Sequence, residues 1–118
     1  MVARLSTHVL DTVRGRAATG IGIDLYRIAE EQRELVVSMT TNADGRTEIP
    51  LLANDEMECG RYEIIFFLGD YFAAKSPTLP KIRFLDKVPV RIGIADAGAS
   101  YHVPLLCTPW SYSTYRGS

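Results

Sequence analysis

The sequence predicts an all-β protein, a two-sheet β-sandwich carrying one short helix. Three observations predict it. Short segments with the period-two alternation of half-buried strands recur along the chain. Turn-forming residues separate them at frequent intervals. One stretch breaks the alternation and ends in prolines, as a single short helix would.

The elements follow in order. Residues 5–10 form the first candidate strand, and residues 11–20 (DTVRGRAATG) a turn-rich connection with two glycines. Residues 21–28 (IGIDLYRI) alternate apolar with small or polar side chains through their first half. In residues 35–40, Leu35, Val37 and Met39 alternate with Val36, Ser38 and Thr40. Thr41-Asn42-Ala43-Asp44-Gly45-Arg46 is a loop with a strong Asp-Gly turn signal. Residues 62–68 (YEIIFFL) are almost continuously apolar and rich in β-formers, which predicts a central, buried strand. Residues 69–76 (GDYFAAKS) read as the helix, with Asp70 as its cap and Pro77 and Pro80 as its stop. Residues 88–95 return to strand, with Val88, Val90, Ile92 and Ile94 on one face. Residues 101–107 and 111–115 are two more strands, joined around Thr108-Pro109-Trp110. Seven or eight short strands with frequent turns are the signature of a sandwich, although periodicity does not give its topology.

Length and composition bound the function. One domain, residues 1–118, is expected, large enough to bury a core without metal or disulfide support. A formal net charge of −1 gives no electrostatic case for nucleic acid or an anionic membrane as partner. No run approaches the roughly 18 apolar residues of a membrane span. Met1-Val2-Ala3-Arg4 leads into patterned sequence with no apolar run of a signal peptide. Cys59 and Cys107 have no CxxC spacing, so no disulfide framework is expected and a reducing, cytoplasmic location is.

Few residues can carry chemistry. His8 and His102 are the two histidines, both on predicted strands near opposite ends of the chain. Histidine is the side chain best suited to move a proton near neutral pH, though an inert, hydrogen-bonded strand histidine is the plain alternative. His8 shares its strand face with Ser6 and Leu10. Arg46 follows Gly45 in its turn, either as a solvated loop residue or as a fixed cation for an anionic or carbonyl-rich substrate. The tail is unusual: the strand pattern runs almost to its last residues, which supply a phenol, a guanidinium, a glycine and a hydroxyl (Tyr115, Arg116, Gly117, Ser118). No nucleotide-binding, nucleophile-elbow or zinc-protease motif is present, and the histidines and cysteines have no metal-ligand spacing.

These pieces together resemble one family. Leu5-Ser6-Thr7-His8-Val9-Leu10-Asp11, then Arg14-Gly15-Arg16 and Gly20, are similar to the amino-terminal signature of the transthyretin-like hydroxyisourate hydrolases. Asp44-Gly45-Arg46 resembles their arginine loop, and Gly69-Asp70-Tyr71-Phe72 the start of their short helix. Tyr101-His102-Val103-Pro104-Leu105-Leu106 and Tyr115-Arg116-Gly117-Ser118 resemble their carboxy-terminal signature. The match is in order and spans essentially the whole chain. Two departures stand out. Relatives often read His-Tyr-His where this chain has Ser100-Tyr101-His102, and residues 81–87 (KIRFLDK) differ from the usual Pro- and aromatic-rich lead-in.

The resemblance implies a sandwich of about eight strands and one short helix, assembled as a homotetramer with active sites in channels between subunits. It implies hydrolysis of 5-hydroxyisourate to 5-hydroxy-2-oxo-4-ureido-2,5-dihydro-1H-imidazole-5-carboxylate in urate catabolism. No cofactor and no metal are implied. Carried over by residue, His8, His102, Arg46 and Ser118 are the catalytic set, and His8, Arg46, Tyr115 and Arg116 bind substrate. His102 and His8 are expected to act together around a water, with either as proton acceptor, while Tyr115 and Ser118 bind ring oxygens or position the water. Two other classes share the scaffold: a small-molecule, hormone-like carrier and an adhesion module. Neither needs paired histidines or a chemically loaded tail.

Overall fold

Among residues 3–117, which the computed structural model describes, nine strands build two sheets. They are β1 (Arg4–Asp11), β2 (Arg16–Ala17), β3 (Gly22–Ala29), β4 (Gln32–Thr40), β5 (Leu52–Ala53), β6 (Gly60–Phe67), β7 (Lys87–Ile94), β8 (Ser100–Cys107) and β9 (Tyr112–Thr114). One α-helix, α1 (Leu68–Lys75), follows β6 directly. One sheet runs β4-β3-β6-β7, all antiparallel. The other runs β2-β1-β8-β9, with β5 also paired to β1. Its central pair, β1 and β8, is parallel.

Alternation decides which side chains enter the core. On β1, Leu5, Thr7, Val9 and Asp11 are buried, so Arg4, Ser6, His8 and Leu10 take the outer face. Facing them across the sandwich are Ile23 and Leu25 of β3, Tyr62, Ile64 and Phe66 of β6, and Val88 and Val90 of β7. Each large apolar side chain so enclosed contributes about 1.5–3 kcal/mol. The two polar residues β1 sends inward are satisfied there. The Thr7 hydroxyl donates to the Val103 carbonyl at 2.7 Å. Asp11 accepts from the Val13 and Arg14 amides, the Arg14 guanidinium and the Tyr71 hydroxyl, which ties β1 to α1. The Cys107 thiol beside it is pushed up to about 12 by burial and then by Asp11, so it serves packing rather than nucleophilic chemistry.

Several expectations are met and some corrected. The strand expected at 62–68 is β6, which lies between β3 and β7 with residues 62–66 buried, as its apolar character predicts; it ends at Phe67, and Leu68 opens α1 instead. Asp70 is not the helix cap. Phe67 occupies that position without a side-chain cap, because β6 runs straight into the helix, and Asp70 falls in the first turn where its charge suits the helix dipole. Leu35 and Val36 do not split between two faces; both are exposed. The register shifts between Leu25 and Tyr26, whose partners are Val37 and Leu35, so Val36 is the extra residue of a bulge. The two-residue strands β2 and β5 escape sequence reading because neither is long enough to show a period.

Candidate active site on the outer face of β1 and β8

The parallel pairing of β1 and β8 brings the two histidines together. Their register sets Ser6 beside His102 and His8 beside Pro104, all on the outer face. The Ser6 hydroxyl and His102 Nδ1 are 2.8 Å apart. Two segments 96 residues apart in sequence thereby form one polar patch.

The arginine loop reaches the same patch through the free edge of β1. β2 covers one end of that edge and β5 the other. In the gap, the Val9 amide donates to the Gly45 carbonyl at 2.8 Å. Gly45 has φ +74°, and a Cβ there would lie 2.4 Å from the Val9 carbonyl oxygen and 3.3 Å from His8 Cδ2. Only glycine allows the loop to sit this close. Asn42 holds the loop's shape: its side-chain oxygen accepts from the amides of Asp44 and Arg46, and its backbone pairs with Gly45 and Arg46. Arg46 follows with its side chain exposed.

The tail closes a third side. The Gly117 amide donates to the His102 carbonyl at 2.8 Å in an isolated antiparallel bridge. A Cβ on Gly117 would lie 2.8 Å from His102 Cδ2, so the backbone packs directly on the imidazole edge. Thr114 Oγ1 anchors the preceding strand to the Pro104 carbonyl at 2.7 Å. Arg116 is placed elsewhere. Its guanidinium stacks 4.1 Å from the ring centroid of Tyr101, an inward-facing residue, and donates to the Ser100 carbonyl. Tyr115 and Arg116 contribute to a groove of about 370 Å³ at the open edge beside β7, with Val90, Ile92, Tyr101 and Thr114. Neither histidine nor Arg46 lines that groove, so this cleft and the titratable cluster are separate features. Ser118 lies outside the described residues.

Electrostatics favours a neutral imidazole. Burial, then the charge of Arg46, then His8 and Arg4, all push His102 below the ordinary histidine range. At neutral pH the ring therefore keeps a free lone pair, as a general base requires. Arg4, on the same outer face as Ser6 and His8, was not singled out from sequence. Period-two alternation from His8 would have found it. The link of Ser6 to His102 could not be found that way, because it depends on pairing between distant strands.

The HIUase/Transthyretin family model matches residues 5–117. A 5-hydroxyisourate hydrolase of Ralstonia nicotianae is 50% identical over 99% of this chain and 100% of its own length. The solved structure of a Klebsiella pneumoniae 5-hydroxyisourate hydrolase superposes with a TM-score of 0.81 at 29% identity, over 98% of this chain and 99% of that one. A structure of (S)-allantoin synthase superposes with a TM-score of 0.92 at 46% identity, over 99% of this chain but 44% of that longer chain. With the family model covering nearly every residue and a full-length relative at this identity, the chain belongs to the HIUase/transthyretin family.

Proposed function

We propose that this protein hydrolyses 5-hydroxyisourate, opening its six-membered ring by addition of water to a ring carbonyl. The observation that carries the reading is the convergence of His8, His102 and Arg46 on one outer face of β1 and β8, together with the hydrolase relatives of matching length.

Water addition needs a base, donors for the developing oxyanion and an oriented ring. His102, neutral at working pH, accepts the proton of the attacking water with His8 beside it. The Arg46 guanidinium binds the flat, carbonyl-rich substrate and stabilises the oxyanion with its planar donor fork. Ser118 belongs to the same set through its place in the family tail. Tyr115 and Arg116 line the open edge of the sandwich, so their part in substrate binding goes with assembly. A homotetramer with sites between subunits would turn that edge and the histidine face toward neighbouring copies. The reaction is one of urate catabolism, in the cytoplasm.

The deciding experiment generates 5-hydroxyisourate from urate with a urate oxidase, adds this protein, and follows loss of the substrate's ultraviolet absorbance. Decay well above the spontaneous rate is expected, and a chelator should not change it. No acceleration at micromolar protein would end the enzyme reading and promote the carrier. Light scattering should give a tetramer mass; a fully active monomer would refute sites shared between subunits.

A further inference from the structure

We infer that Ser6 is the positioning residue of the site: its hydroxyl holds His102 by Nδ1 and so turns Nε2, carrying its lone pair, toward the substrate. The inference rests on the reading that His102 takes the proton.

Three contacts fix the ring. Ser6 Oγ lies 2.8 Å from Nδ1. The Gly117 backbone closes on the Cδ2 edge, where a Cβ would come within 2.8 Å. The strand itself is held by Gly117 at the His102 carbonyl. Nε2 has no hydrogen-bond partner among the described residues, which leaves it as the nitrogen for water or substrate. In a neutral imidazole one nitrogen carries hydrogen and the other a lone pair, and the bond made by one decides the state of the other. With Ser6 accepting from Nδ1–H, Nε2 is the base.

The identity of the partner matters as much as its place. Among the described residues, the charged or titratable groups that act on His102 are Arg46 on the loop and His8 and Arg4 on its neighbouring strand, with no carboxylate among them. A carboxylate on Nδ1 would favour the imidazolium and offset those cations. A hydroxyl orients the ring without adding negative charge, so the imidazole stays neutral and ready to accept. Once His102 holds the transferred proton, the Nδ1–H to Ser6 bond becomes charge-assisted and stronger, which helps the step that needs it. No atom is exchanged with Ser6: the proton goes from water to Nε2 and then to the leaving ring nitrogen.

The test compares Ser6→Ala and Ser6→Thr with His102→Asn. Ser6→Ala should lower kcat about 10- to 100-fold, the effect of losing a hydrogen bond to a group that becomes charged, with KM within about twofold. Ser6→Thr should restore kcat to within about threefold. The acid limb of kcat should move to lower pH in Ser6→Ala, because the imidazolium loses an acceptor. In wild-type protein labelled with ¹⁵N-histidine, the His102 resonances should report the Nδ1–H tautomer, a measurement that does not depend on any variant folding. An acid limb moving to higher pH, or an Nε2–H tautomer, would mean that Ser6 donates and would overturn the assignment. Full kcat in Ser6→Ala with an inactive His102→Asn would remove Ser6 and leave the catalytic reading standing. Full kcat in both would remove that reading itself.

Discussion

The outer faces of the two sheets handle charge in opposite ways. On the four-stranded sheet, Glu63 of β6 is only 5% exposed and sits between two cations. Arg33 donates to one carboxylate oxygen at 2.7 Å and Arg91 to the other at 2.8 Å. Burial alone would push its carboxyl up, but the two guanidinium groups outweigh it and hold Glu63 below the usual glutamate range. On the other sheet, burial, Arg46, His8 and Arg4 all act on His102 in one direction, against protonation, and the ring's bond is to a neutral hydroxyl. The first face compensates its charge and needs nothing more. Among the described residues, the second sets Arg4 and Arg46 around an imidazole nitrogen without a partner, which is the condition for recognising an electron-rich substrate and taking a proton from water.

The largest effect should come from the uncompensated face. His102→Asn keeps size and some hydrogen bonding but removes the base, so turnover should drop by about 10²–10⁴-fold with the fold intact by circular dichroism. His8→Asn should lose less, or mainly raise KM. If both act on one water, the double variant should be little worse than the poorer single one. Near-normal turnover in both single variants would mean that positioning by Arg46 and the tail suffices.

Next in size is the tail. Deleting residues 115–118 removes the Gly117 bridge to His102 but no core side chain. Turnover should fall about 10- to 100-fold, the scale of a mispositioned catalytic group, while the thermal midpoint moves little. Full activity in the truncated protein would make the tail a frayed end.

How much of this could be read in advance differs by element. The core strands are legible in two ways: from alternation, as in Val88, Val90, Ile92 and Ile94, and from a continuous apolar run rich in β-formers, as in residues 62–68. The loop that carries Arg46 was legible from Asp44-Gly45, but the docking of Gly45 on Val9 was not, since it fills a gap between two strands too short to show a period. His8 and His102 were visible as residue types. Their meeting depends on a parallel register between segments 96 positions apart, and alternation says which face a residue takes without saying beside whom. Arg116 shows the limit from the other side: its place in a tail signature carried no information on the Tyr101 ring it stacks against.

The compensated face should behave differently when broken. Glu63→Gln leaves two arginines around a neutral amide, and stability should fall by about 1–3 kcal/mol, the range for a hydrogen bond to a charged group. Arg33 and Arg91 are 52% and 72% exposed at their side chains, so salt screening should keep the loss toward the low end. Turnover should stay within about twofold, because Glu63 faces away from the histidines. A large activity loss at unchanged stability would show that the two faces are coupled through the core.

The smallest effect is a separation of two acid transitions. His102 has a folded pKa below its ordinary value of about 6.5, so its neutral form, and the activity with it, is lost as pH falls through that lower value. Glu63 and Asp11 are carboxylates whose folded pKa values lie below 4.5 and 3.8. For Asp11, burial acts upward but the Tyr71 hydroxyl and the Arg14 amide and guanidinium outweigh it. In the unfolded chain all three groups take up protons at higher pH than in the folded one. Each therefore contributes stability that is present above its unfolded value and drains away as pH falls through the folded one. The carboxylate windows lie below pH 4.5, and the histidine window starts near 6.5. Activity and tryptophan fluorescence followed from pH 8 to 2 should thus part company: activity falls first, reversibly and without unfolding, and the fold gives way only in the carboxylate range. Glu63→Gln should flatten the second transition and leave the first in place. Coincident loss of activity and fold would mean that His102 and its cationic neighbours hold the sandwich together, and that the contrast between the two faces is false.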